Sequence, residues 1–332
     1  MSIGRVYREI LASGRIRAGD IEQLRTDVMA DEAVDSIEAQ ILFKLDAECP
    51  DKHSSWTSFF VDTLTDFYVW YWEPRGYIDD EQCEHLIRHI LVDGRVANAA
   101  SMELLLNIVY WAGYAPAELV RLVLTTVWNG ILDPENAVYN RGRLQKIVDR
   151  IDVEILRMAI YAPSIDGGLI VSREEAKLLF ELNDATIESA NHPSWRELFV
   201  MAVANYLMFP AVAPGGPSPE EAERRDSWLR KRRGVGDLLR AAGAGAAVGE
   251  QDEPVGAFAS HISGELAWRN EAMRRAAGSV DCIEAAEAEW LCARIEEDGV
   301  MHRNEQELLA FIARNSTNIP RVLDPLFRKA GL

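Results

Sequence analysis

The chain has only four cysteines in 332 residues, and Cys49, Cys83, Cys282 and Cys292 form neither a C-x-x-C pair nor a regular framework. They read as reduced, mostly packed thiols rather than a disulfide scaffold. Bases are also scarce: 35 Lys and Arg face 53 Asp and Glu, a net charge of -18. Such a field repels phosphate backbones, so no specific nucleic-acid binding is expected. No uncharged run reaches the roughly 18 to 20 residues of a membrane span, so no transmembrane segment is expected. The start, MSIGRVYREILASGRIR, lacks the apolar core of a signal peptide, which makes a cytoplasmic protein the expectation. The phosphate-binding, dinucleotide, nucleophile-elbow and zinc-protease motifs are missing as well. Paired carboxylates abound, but 53 acids supply them by chance. Period-two alternation is rare and none of it sits in a hairpin context.

What remains is helical. With 48% hydrophobic residues and nine Trp, the chain can bury a real core. Leu86, Ile87, Ile90 and Leu91 share one helical face, as do Leu104, Leu105, Ile108 and Val109. The fold class expected is all-α, and the pattern occurs twice. Residues 38–72 and 175–209 each hold an EA-x-x-LF-x-L run, a His-x-Ser-Trp corner (His53 to Trp56, His192 to Trp195) and an apolar helix. A second pair of segments follows from Glu84 and Glu289, with Asp93-Gly94 and Asp298-Gly299 as turns that end helices. Upstream, Ile21 to Arg25 resembles Val153 to Arg157; downstream, Pro116 and Pro320 open the closing helices. Ser194-x-x-Glu197 fits a capping box, and Ser54 or Ser55 is expected to do the same job in the first copy. The organisation expected is a tandem duplicated helical bundle, with halves at 1–130 and 131–332.

The second half carries an insertion of about residues 210–256 whose Pro, Gly and Ala content reads as a flexible segment, with room for a short helix from Pro217 to Arg233. It holds a basic cluster: Arg224, Arg225, Arg230, Lys231, Arg232 and Arg233, with Trp228 as an apolar anchor. This suits a docking arm for an acidic partner, and it leaves peripheral membrane contact open. A segment lying on the protein's own acidic surface is the plainer alternative. The aromatic run Phe67 to Trp72 is a second candidate interface, set against closure of the core, which is the favoured reading.

Metal chemistry has three candidate places. Asp166-Gly167-Gly168 with Glu174, and Asp298-Gly299 with Glu305, pair an Asp-Gly turn with an acid at the next helix start. A calcium loop needs oxygens at its first, third and fifth positions, and here Pro163, Ile165 and Arg294 intrude, so these are degenerate EF-hand-like turns at most. His85, His89 and Asp93 recur every four residues and would line one helical face, opposite Leu86 and Ile90 and hence toward solvent. His53 and His192 recur in both copies, and bonding the backbone at a helix start is their favoured role. Trp56 and Trp195 read as packing anchors.

The helix, Asp-Gly turn and acidic helix start resemble the all-helical tellurite-resistance TerB-like family. The resemblance covers some 30 to 40 residues of each unit. It implies acidic helical bundles in which Asp166, Glu174, Asp298 and Glu305 would hold a divalent metal ion. The unit around Gly94 departs from it, with Ala100 where an acid is wanted. The function expected is a non-catalytic binding or scaffolding module without a cofactor, contacting another protein through helical surfaces and the basic arm. The alternative is a divalent-metal-binding stress-response protein of TerB-like type. An enzyme using a bundle acid cluster ranks third.

Overall fold

The computed structural model describes residues 3–28, 34–138, 146–160, 171–208, 283–297, 299–316 and 318–332. Over these residues the chain is mostly helical. The helices are α1 (Ile3–Ser13), α2 (Ala18–Val28), α3 (Ser36–Glu48), α4 (Trp56–Thr65), α5 (Asp80–Ile90), α6 (Ala99–Trp111) and α7 (Ala117–Leu132). They continue with α8 (Arg150–Ile160), α9 (Arg173–Ala185), α10 (Pro193–Met208), α11 (Ala285–Ile295), α12 (Arg303–Asn315) and α13 (Asp324–Ala330). A π-helical turn, Asp66–Tyr71, extends α4. No described helix is long and apolar enough to cross a membrane.

Side chains placed by the sequence set the helix starts. Asp35 accepts from the backbone N–H groups of Ile37 and Glu38 while the Glu38 carboxylate takes that of Asp35. Ser172 and Glu175 form the same reciprocal pair at α9, and Asp79 and Gln82 at α5. Each such cap contributes about 1 kcal/mol by satisfying N–H groups the helix cannot use. The Ser194 and Ser55 caps expected from sequence are corrected. At both corners the histidine, not the serine, takes the free N–H: His53 Nδ1 accepts from Ser55 N–H and His192 Nδ1 from Ser194 N–H, each at 3.3 Å. The imidazole lies one residue closer to the helix start than the hydroxyl and so reaches the orphan donor first.

Strand is confined to two short pairs among the described residues. β1 (Arg15–Ile16) runs parallel to β2 (Asp51–Lys52). β3 (Leu91–Val92) and β4 (Arg95–Val96) are antiparallel. They are joined by Asp93 and Gly94, both at positive φ (51° and 75°). Asp-Gly in that conformation is the two-residue turn whose twist matches a hairpin. The expectation of no hairpin therefore fails here: Asp93-Gly94 connects strands and does not end a helix, because α5 stops at Ile90.

The core is continuous. α4 packs on α6, α10 on α9 and α12, and α7 on both α8 and α9. The fully buried rings of Trp56, Phe60, Tyr68, Trp195, Phe180 and Phe199 anchor it. Phe43 meets Phe60 edge to face at 5.7 Å, and Phe180 meets Phe199 likewise at 5.0 Å. Such pairs add about 0.5–1.5 kcal/mol to the burial of their area. α8 is buried along its length from Ile151 to Ile160, including Glu154 and Arg157, which pair at 3.3 Å.

Candidate functional site: an aromatic surface around the π turn

Helices α3, α4 and α5 enclose a niche beneath this surface. The Tyr68 hydroxyl, fully buried, lies 2.6 Å from His85 Nδ1, and His89 Nδ1 lies 2.8 Å from the His85 carbonyl. The His89 ring stacks on Phe43 at 4.6 Å and touches the His85 ring at 4.4 Å. Burial, then the neighbouring His89 and Arg88, hold His85 below the ordinary histidine range; burial also pushes the Tyr68 phenol up. Both ring nitrogens named above are thus engaged by protein groups. The expected solvent-facing His85, His89 and Asp93 face is corrected in two respects. The histidines are half-buried because Phe43 and Tyr68 cover them, and Asp93 lies off the helix in the hairpin turn. Among the described residues no group of three or more His, Cys, Asp or Glu is placed to hold a metal ion.

The corresponding niche beside Phe180 is filled differently. Trp290 meets Phe180 at 5.5 Å, Tyr206 meets Trp290 at 4.9 Å, and the Arg294 guanidinium lies 5.6 Å over the Phe180 ring. Arg294 also pairs with Asp184 and Glu297.

Above the histidine niche the π turn divides the aromatic run. Phe67, Tyr68 and Val69 point inward, whereas Tyr71 and Trp72 are 44% and 41% exposed. Tyr77, 39% exposed, stacks on Tyr114 at 4.5 Å. The expected closure of the core thus holds for the first half of the run and not for its end. Backbone contacts fix the surface: Gly76 N–H donates to the Val69 carbonyl, Tyr114 N–H to that of Gly76, and Ile78 N–H to that of Tyr114. Gly76 sits at φ 77° against Gly113, where an added Cβ would lie 3.4 Å from the Gly113 nitrogen. These are the only exposed aromatic rings among the described residues, and they fall within seven residues of chain. Tyr77 and Tyr114 carried no signal in the sequence beyond their flanking glycines.

The other expected residues separate. Asp166, Asp298, Cys282, the helix at Pro217 to Arg233, and the basic cluster Arg224, Arg225, Trp228, Arg230, Lys231, Arg232 and Arg233 lie outside the described residues. Glu174 is exposed in the first turn of α9. Glu305 is 2% exposed, and its carboxylate accepts the His302 N–H at 2.7 Å, so it caps α12 rather than facing a turn oxygen set. Cys83 is buried, its thiol pushed up to about 12 by burial and by Glu118, Asp80 and Glu84, which leaves it unreactive. A groove of about 320 Å³ runs between α10 and α12, with Arg196, Glu197, Glu307 and Arg314 at its rim over Val200 and Phe311. Its two guanidinium and two carboxylate groups select no single ligand charge.

Comparison with known proteins returns no matching family model, curated protein or solved structure.

Proposed function

We propose that the chain is a cytoplasmic, non-catalytic binding module made of two copies of one helical unit, and that the first copy presents the aromatic surface of Tyr71, Trp72, Tyr77 and Tyr114 to a protein partner. The observation that carries the reading is the clustering of exposed rings on a backbone held by its own hydrogen bonds. Soluble chains seldom leave such a patch uncovered without a use for it.

The duplication draws support from matched lengths and matched contacts. α2 and α8 each span 11 residues, α3 and α9 each 13, α5 and α11 each 11, and α6 and α12 each 13. The corner N–H of His53 bonds the Ile16 carbonyl, and that of His192 the Val148 carbonyl. Asp20 and Asp152 take equivalent N–H groups, those of Arg17 and Asp149. In this reading the TerB-like turns are the punctuation of a shared fold, and the basic segment of the second copy is a further contact. The test is affinity capture with the intact protein, a Tyr71→Ser/Trp72→Ser variant and a deletion of Pro217 to Arg240. A partner retained by the deletion and lost by the double variant supports the surface. Identical capture by the intact protein and the double variant refutes it.

A further inference from the structure

We propose that the occupant of the aromatic surface is an arginine-bearing basic segment of a partner protein, held by guanidinium stacking on Trp72, Tyr71 and Tyr77 and by the acids around them. This rests on the reading of that surface as an interface. The argument is one of charge and ring chemistry together. Residues 66–84, which contain most of the rings, carry six acids and one base. The base, Arg75, is already paired with Glu73 at 3.4 Å. Glu73, Asp79, Asp80, Glu81 and Glu118 are all exposed around the rings. Asp79 is committed to its cap at Gln82 and Glu118 has only a loose contact with Arg121 at 3.9 Å, but Asp80 and Glu81 add negative charge at the mouth of the patch.

An aromatic face attracts a cation through its quadrupole, and arginine stacks on it while keeping donors free for carboxylates at the edge. The same rim disfavours an anionic ligand or an anionic membrane. The whole-chain charge of -18 would further speed the approach of a basic segment. The chain itself shows the geometry on a smaller scale, with Arg294 over Phe180 and the Arg25 guanidinium 5.6 Å over Phe59.

The experiment is titration of the full chain with fluorescently labelled, glycine-spaced peptides carrying arginine, lysine, citrulline or glutamate, read by anisotropy. The arginine peptide should bind several-fold more tightly than the lysine peptide, with citrulline and glutamate peptides showing no saturable binding. Tyr71→Ser/Trp72→Ser, which leaves the net charge unchanged, should weaken the arginine peptide about tenfold, Tyr77→Ser should weaken it too, and Trp72→Phe should restore most of the loss. Asp80→Asn/Glu81→Gln should weaken it and flatten its salt dependence. A Glu188→Gln/Glu296→Gln control removes the same charge from exposed positions elsewhere and should have little effect. If that control weakens binding as much as the ring variants, the attraction is general and the proposal fails. Equal affinity for arginine and citrulline peptides, or tighter binding to neutral phosphatidylcholine vesicles, also overturns it. So does tightening on deletion of Pro217 to Arg240, which would make the chain's own segment the occupant. A partner still captured through Trp72 alongside a silent arginine peptide would sink this inference and leave the interface reading standing.

Discussion

Asp46 offers a test of how one buried carboxylate holds the first half of the fold together. It is 5% exposed and accepts from Lys52 Nζ at 2.6 Å, Trp56 Nε1 at 2.8 Å and Asn98 Nδ2 at 2.9 Å. These bonds join α3, β2, α4 and the start of α6. Asn183 occupies the corresponding place on α9 and does much less. It accepts from Asn304 Nδ2 at 2.7 Å, its own Nδ2 has no partner, and the Trp195 indole N–H is likewise unpartnered. In Asp46→Ala the Trp56 donor is orphaned in the core, at about 1–3 kcal/mol, and the charge-assisted bond from Asn98 is lost, at about 1.5–3 kcal/mol. The Lys52 side chain is 25% exposed and can turn to water, so it adds little. The expected loss is about 3–5 kcal/mol. Asn183→Ala removes one neutral hydrogen bond and should cost about 1 kcal/mol beyond the volume lost, which is similar in both variants. Urea unfolding followed by tryptophan fluorescence reads the difference as a shift in midpoint at unchanged slope. If the two variants lose stability within about 1 kcal/mol of each other, the carboxylate is not the joint described here.

Acid should weaken the fold through its histidines. Burial holds His85 and His192 below their ordinary range, so below about pH 6.5 the unfolded chain binds protons the folded one refuses. Their contribution is full above that pH and is lost as pH falls toward the folded values. Glu154, Glu175 and Glu287 are raised by burial and act in the opposite sense, favouring the fold toward low pH in the window above the carboxylate range. The urea midpoint between pH 7.5 and 5 should therefore decline less in His192→Gln than in the unaltered protein, and parallel curves would contradict the assignment. Ser172→Ala should lower stability by about 1 kcal/mol by freeing the Glu175 N–H, checked by the same unfolding assay. Gly94→Ala should cost about 1–2 kcal/mol from its positive φ alone, because an added Cβ there meets nothing within 4 Å. A neutral result in thermal unfolding would show that the hairpin turn relaxes.

Local chemistry made much of the fold readable. The helical periods around Leu86 and Leu104, the prolines before α7 and before the last turn, and the buried Trp56 and Trp195 were all legible in the residues themselves. The misreadings share one cause, which is what a neighbour in space supplies. His85 and His89 looked solvated because Phe43, forty residues away, is invisible to a helical wheel. The Ser194 cap was outcompeted by the residue before the helix. Strands of two residues are too short for alternation to register, although Asp93-Gly94 between Leu91-Val92 and Arg95-Val96 carries the hairpin signature. The run Phe67 to Trp72 was seen, but its division into buried and exposed rings depends on a π turn that no propensity predicts.

That turn has a consequence for how the surface could arise or vanish. A π turn closes its hydrogen bonds to the fifth residue rather than the fourth, so it accommodates one residue more than a regular helix would. Removing a single residue between Asp66 and Tyr71 would restore the ordinary spacing and rotate everything beyond it by roughly 100° about the helix axis. Tyr71 and Trp72 would swing off the face they now occupy with no change in their identity. Whether those rings meet solvent or core is thus governed by chain length rather than by composition, and one codon gained or lost would be enough to switch it.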